Sequence, residues 1–160
     1  MRQYPDHQRK TDCVLGTKVA TVMGVVLAGG LGTRFHPVTK IVNKHLLDVY
    51  DEPMIFYPIR ALARAGIEDV VIVTGDDIAQ FKDLLGDGGS FGVRLRYAYQ
   101  QGERGIADAL LKAKGFVDGT NVITILGDNI FQEDLTQYVE AFERQGGGAK
   151  ILLKEVSDED

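Results

Sequence analysis

The sequence predicts an α/β fold: a doubly wound, mostly parallel sheet of Rossmann-like type with helices on both faces. Three observations carry that expectation. Short, uninterrupted apolar runs at Val22 to Leu27, Val70 to Thr74 and Val122 to Leu126 suit strands covered on both faces, where the alternation of polar and apolar residues is lost. Segments with helical spacing of apolar residues stand between those runs, the strand-helix-strand rhythm of a parallel sheet. Two runs end in glycine, at Gly29 and at Gly127-Asp128, and open α/β sheets receive ligands outside the carboxyl ends of their strands.

Val22 to Leu27 is the first predicted strand. Met54 to Arg64, with apolar Ile55, Ile59, Leu62 and Ala63, predicts a helix that stops before Gly66. Val70 to Thr74 is a second buried strand, Ile78 to Leu85 a short helix, and Arg94 to Tyr99 an alternating strand. Ile106 to Phe116 predicts a helix, Val122 to Leu126 a continuous apolar strand, Asp134 to Arg144 a helix and Ala149 to Val156 a last strand.

With 160 residues, 44% hydrophobic and 26% charged, the chain has material for one sizeable core. Its formal charge of −5, from 18 Lys and Arg against 23 Asp and Glu, argues against a general nucleic-acid surface, so any phosphate binding must be local. The single Cys13 excludes an internal disulfide, and the histidines at 7, 36 and 45 form no zinc-like cluster; a reducing cytoplasm is the expected location. No run of 18 apolar residues and no signal-like apolar segment occurs, so neither membrane nor export is expected.

The segment from Gly24 to Arg34 ends a strand in Gly29, Gly30 and Gly32, followed by Thr33 and Arg34. Glycines there allow positive φ and leave no Cβ, so backbone N–H groups can close on anionic oxygens, and Arg34 adds a bidentate cation. A tight turn without ligand is the alternative. The spacing matches neither a P-loop, which needs Gly-Lys followed by Ser or Thr, nor a dinucleotide fingerprint, which needs a third glycine where Phe35 stands. The same absence disfavours a dinucleotide-binding oxidoreductase.

Further motifs follow in order: Pro37 and Thr39, Lys44 to Leu47, Pro53 to Pro58, Ala65-Gly66-Ile67, Leu84 to Gly88, Tyr99-Gln100, Gly105-Ile106-Ala107, and Leu126 to Phe131. Together with Leu27 to Arg34 they resemble the sugar nucleotidyltransferases, most closely the glucose-1-phosphate thymidylyltransferases, across residues 23–160. The resemblance implies transfer of dTMP from dTTP to glucose 1-phosphate, or a like sugar 1-phosphate, with release of pyrophosphate and with Mg²⁺ as cofactor, in nucleotide-sugar biosynthesis. It implies that Arg34 holds the outer phosphates and Lys44 neutralises the α-phosphate. Leu27, Gly29, Gly30, Gly32, Thr33, Gln100 and Gly105 would bind the nucleotide, the last two at the base. Asp128 reads equally as a helix cap or as a carboxylate for Mg²⁺, and the resemblance implies the metal ligand. Because a sugar 1-phosphate is already ionised, no Ser-His-Asp or Cys-His arrangement is needed; His36 and His45 read as packing or hydrogen-bonding residues.

Asp48, Glu52, Arg104 and Asp108 depart from the family pattern of proline, lysine, glycine and glutamine; the three carboxylates would weaken phosphate binding if they faced the site. Residues 1–22 are expected to be a disordered extension. Residues 23–160 are expected to be a nucleotide-binding domain, with the sugar-binding loop, a Glu-Lys pair and a second metal-binding aspartate of the family lying beyond Asp160. An incomplete site would bind nucleotide and turn over sugar phosphate poorly, unless a missing half or another copy completes it. A non-catalytic nucleotide-binding module is the alternative.

Overall fold

The computed structural model describes residues 22–30, 32–102 and 104–154. Apart from Val22, the expected extension lies outside these residues. In chain order the elements are β1 (Val22–Leu27), β2 (Asp48–Val49), β3 (Glu52–Pro53), α1 (Phe56–Arg64), β4 (Asp69–Thr74), α2 (Ile78–Leu85), β5 (Arg94–Tyr99), α3 (Gly105–Val117), β6 (Asn121–Leu126) and α4 (Thr136–Gln145). Single 3-10 turns fill part of the β1–β2 connection. No helix among the described residues is long and apolar enough to cross a membrane.

β5, β4, β1 and β6 form, in that order, an all-parallel sheet; β2 and β3 make a small antiparallel hairpin. β1 lies between β4 and β6, with Val26 opposite Ile72 on one side and Ile125 on the other. The period of two along each strand divides the core by face. Val26, Val70, Ile72 and Ile125 pack with Ile55, Ile59 and Leu62 of the α1 region, Phe81 of α2 and Leu135 beside α4. Met23, Val25, Leu27, Val71 and Val73 pack against Ala109 and Ala113 of α3. Helices therefore cover both faces, as predicted.

The boundaries differ from the sequence reading where backbone groups have another use. α1 starts at Phe56 rather than Met54; the Met54 and Ile55 amides, which a helix beginning there would leave without an intrahelical acceptor, donate to the Leu47 and His45 carbonyls at 3.0 and 2.9 Å. α4 starts at Thr136 because the Asp134 carboxylate accepts from the Thr136 amide at 2.8 Å, closing the first turn as a cap does. Among the described residues β6 is an edge strand with Val122 and Leu126 exposed, not the fully buried strand its composition suggests. The predicted strand from Ala149 to Val156 is not formed over residues 149–154, which run as irregular exposed chain with no sheet partner; residues 155 and 156 lie outside the described residues.

A glycine in the central strand sets the approach of α1. A Cβ on Gly24 would lie 2.8 Å from Leu62 Cδ1 and 3.1 Å from Val70 Cγ2, and both neighbours are fully buried. Gly24→Val should lower stability by about 2 kcal/mol through overpacking, measured as a denaturant midpoint. Leu62→Ala added to it should cost less than Leu62→Ala alone, because the two changes share one space. Simple additivity would remove the contact as the cause.

Candidate active site

The order of the strands opens a crevice at the tip of β1. Its pairing continues one residue past the strand, with the Ala28 amide on the Val73 carbonyl at 2.7 Å and the Gly127 amide on the Leu27 carbonyl at 2.8 Å. Beyond that the chain from β1 and the chain from β6 diverge, the switch point at which doubly wound sheets bind ligands. A cavity of about 250 Å³ lies there, lined by Leu27, Gly29, Gly30, Lys44, His45, Gln100, Gly105, Ile106, Ala109, Leu126 and Asp128.

The glycines of the loop act differently from one another. Only Gly32 has positive φ, at 61°, and the Thr39 hydroxyl donates to its carbonyl at 2.7 Å. Gly29 is needed for space: a Cβ there would stand 2.9 Å from Gln100 Oε1. At Gly30 the nearest group to a Cβ would be the Lys44 side chain, at 3.6 Å. Of the two properties that glycine offers there, Gly32 uses the positive φ, while at 29 and 30 the absence of a side chain is what matters.

Asn43 ties the tips together. Its side-chain amide donates to the Ala28 carbonyl at 3.2 Å and to Asp77, which also accepts from the Thr74 hydroxyl at 2.8 Å. Its oxygen therefore faces two donors, the His45 backbone amide at 2.9 Å and the His45 ring at Nδ1, 2.6 Å away. Two donations from the Asn43 nitrogen fix the orientation of the amide, so His45 carries its proton on Nδ1. The ring is 2% exposed, and a Cβ on Gly127 would meet it at 2.8 Å. Burial first, and the adjacent Lys44 charge second, depress the His45 pKa to about 4. It is a neutral packing and hydrogen-bonding group, as read from sequence.

Beside it, Lys44 Nζ donates to Asp128 Oδ2 at 2.6 Å across the crevice. Desolvation alone would raise the Asp128 pKa; the hydrogen bond and charge of Lys44 outweigh it and hold the carboxyl below its ordinary value. On the far wall, the buried Gln100 amide donates from Nε2 to the Gly105 carbonyl at 3.1 Å and to Asp108 Oδ2 at 3.0 Å. Gly105, at φ 82°, opens α3 with a backbone that other residues rarely adopt.

A family model described as Nucleotidyl transferase matches residues 23–160. The chain belongs to the nucleotidyl transferase family. It is 45% identical over 137 residues to a glucose-1-phosphate thymidylyltransferase of Neisseria gonorrhoeae, covering 84% of this chain and 48% of that one. The corresponding protein of Mycolicibacterium smegmatis is 45% identical over 128 residues, covering 79% and 44%. A solved structure described as a glucose-1-phosphate thymidylyltransferase of Bacillus anthracis, in complex with a sucrose, superposes with a TM-score of 0.83 at 43% identity, covering 86% of this chain and 56% of that chain. The chain spans about half the length of the curated relatives it matches.

Of the residues that sequence reading assigned to the site, Leu27, Gly29, Gly30, Lys44, Gln100, Gly105 and Asp128 line the cavity. Gly32, Thr33 and Arg34 do not; Thr33 and Arg34 stand exposed on the neighbouring turn. Ile106 and Ala109 were missed, although their spacing on α3 beside the Gly105 motif is the signal that one face of that helix looks into the site. The departures from the family pattern largely do not enter the cavity wall: Glu52 pairs with Arg60, while Asp48 and Arg104 are exposed and not among the lining residues, although Arg104 directly precedes Gly105. Among these four, Asp108 makes a side-chain hydrogen bond to a lining residue, Gln100.

Burial of neutral His45 makes stability fall with acidity. Its folded pKa lies below the unfolded value, so the unfolded chain takes up the proton first, and stability is lost as pH drops from 6.5 toward 4. The loss attributable to His45 should be on the order of 3 kcal/mol. Denaturation across that range should show a steep slope that His45→Asn, which retains a donor for Asn43, removes in large part; an unchanged slope would contradict this account.

Proposed function

We propose that this chain is the nucleotide-binding part of a nucleotidyltransferase that moves a nucleoside monophosphate from a triphosphate, dTTP by similarity, to a sugar 1-phosphate, glucose 1-phosphate by similarity. The observation that carries the reading is the Lys44–Asp128 pair at 2.6 Å, spanning the tips of β1 and β6 beside the bare backbone of Gly29 and Gly30. Cation, anion and side-chain-free backbone at one switch point suit a polyphosphate and its counterion. The apolar wall of Leu27, Ile106 and Ala109 suits the flat face of a base.

In this reading Gly29 and Gly30 let backbone approach the phosphates. Lys44 neutralises the α-phosphate, and Arg34, free of ion pairs among the described residues, swings over the outer phosphates. A sugar 1-phosphate oxygen forms its bond to the α-phosphorus as the bond to the bridging oxygen breaks, and the electron pair leaves with pyrophosphate. Charge stabilisation and positioning supply the catalysis. No general base is needed, which agrees with a neutral His45 bonded internally.

The donor set fits Mg²⁺. Asp128 offers a partly exposed carboxylate that already holds a cation, the Lys44 ammonium, and among the described residues no cluster of three His, Cys, Asp or Glu offers a cage for a softer or fully protein-bound ion. Mg²⁺ commonly takes one or two carboxylates and completes its shell with water and phosphate oxygens. Bound by Asp128, it would supply charge neutralisation to the triphosphate. The single Cys13 fits a reducing cytoplasm.

Calorimetric titration tests the assignment. Arg34→Ala should weaken dTTP binding about tenfold or more and leave dTMP nearly unchanged, since charge-assisted contacts to the outer phosphates are lost. Equal losses for both ligands would remove Arg34 from the outer phosphates. Asp128→Asn should abolish most of the gain in dTTP affinity that Mg²⁺ confers on the original chain; the same gain in both proteins would place the metal elsewhere.

A further inference from the structure

The buried end of the cavity holds a side-chain amide whose two faces are not equivalent. Gln100 is 5% exposed and lines the cavity. Its nitrogen faces two acceptors, the Gly105 carbonyl at 3.1 Å and Asp108 Oδ2 at 3.0 Å. Turned over, the amide would set its oxygen against both at the same distances, two acceptor–acceptor contacts in a poorly solvated place. Asp108 makes that reversal costly because its hydrogen bond is charge-assisted, about twice as strong as a neutral one. Lys112, one turn further along α3, lies 3.9 Å from the other Asp108 oxygen and leaves Oδ2 to the amide.

The consequence appears at the opposite atom. Gln100 Oε1 lies against the Cα of Gly29, where any side chain would displace it, and no donor among the described residues reaches it. Among the described residues no buried side-chain oxygen or nitrogen is left without a partner, so Oε1 lies at the cavity surface. The site thus presents a fixed acceptor.

We propose that Asp108 is a specificity-determining positioning residue: by locking the Gln100 amide it presents a carbonyl oxygen to the cavity and selects a base whose ring nitrogen carries a proton. Thymine and uracil offer N3–H to that oxygen. Cytosine offers an unprotonated N3 and meets it acceptor to acceptor. This rests on the nucleotide-binding reading above and assigns within it the residue that sets the polarity of the base contact, at a position where the related pattern has a neutral glutamine.

Two measurements on the full chain separate the lock from the recognition. In nuclear magnetic resonance of the free protein, the Gln100 side-chain NH₂ protons should exchange slowly with solvent, and Asp108→Asn should accelerate that exchange about fivefold or more as a charge-assisted bond becomes neutral. Unchanged exchange overturns the lock whatever the chain binds. By calorimetry with Mg²⁺, the original chain should bind dTTP at least tenfold more tightly than dCTP, the scale of a buried group left unpaired. Asp108→Asn should cut that ratio about threefold to tenfold, and Asp108→Ala at least as much. A merely structural role for Asp108 would weaken both ligands together and leave the ratio intact, which overturns the proposal. An original chain that binds neither triphosphate would sink the nucleotide-binding reading, and the recognition step with it.

Discussion

Everything at the candidate site depends on β1 being paired on both sides. β4 lies against one edge and β6 against the other, so the chain that leaves β1 cannot continue in the sheet and must rise out of it between two strand tips. The connection that follows has to satisfy its backbone without a ladder. It does so with single 3-10 turns, a small hairpin and the Asn43 side chain, which bonds the Ala28 carbonyl, Asp77 and His45 at once. Asn43 holds Lys44 one residue away at the height of Asp128. The ion pair is a consequence of the strand order.

That ion pair adds little to folding. Its side chains are 22% and 36% exposed, and partly solvated pairs of this kind contribute about 0–1 kcal/mol. The buried groups around it matter more. His45, Asn43 and Thr74 are each less than a tenth exposed and each hydrogen-bonded, and a buried polar group without a partner costs about 1–3 kcal/mol. Stability therefore resides in the network behind the site, while the charges in front stay free to exchange one partner for another at little cost.

The sheet and its helices were legible because burial on two faces leaves a plain mark, continuous apolar runs, and because glycines mark the ends. β1, α2 and β5 fall on their predicted bounds. What could not be read depends on partners distant in sequence. Composition does not reveal that β6 is an edge strand, since Val122 to Leu126 is as apolar as a central strand. Nor does it reveal that the Met54 and Ile55 amides bond the Leu47 and His45 carbonyls, which tie that segment to the loop before the hairpin. In the site, the residue types at Lys44, Gln100 and Asp128 were readable; the reasons for Gly29 and Gly127 were not, because each makes room for a side chain far away, Gln100 and His45 respectively.

An acidic chain proposed to receive a polyanion has to disarm its own carboxylates near the candidate site. The means differ from residue to residue. Asp128 is neutralised by Lys44. Asp77 has no cation partner among the described residues but accepts from Thr74 and Asn43, whose dipoles stabilise its charge. Asp76 accepts from the Tyr99 hydroxyl at 2.6 Å, and Asp108 accepts from Gln100 with Lys112 near its second oxygen. In a medium less polar than water a bare carboxylate would repel a phosphate over many ångströms. A donor on each one weakens that field nearby, and a cation beside Asp128 and Asp108 offsets the charge itself. The net charge of −5 therefore does not by itself oppose the proposed function, because at the candidate site Lys44 offsets Asp128 and the other nearby carboxylates are engaged by donors.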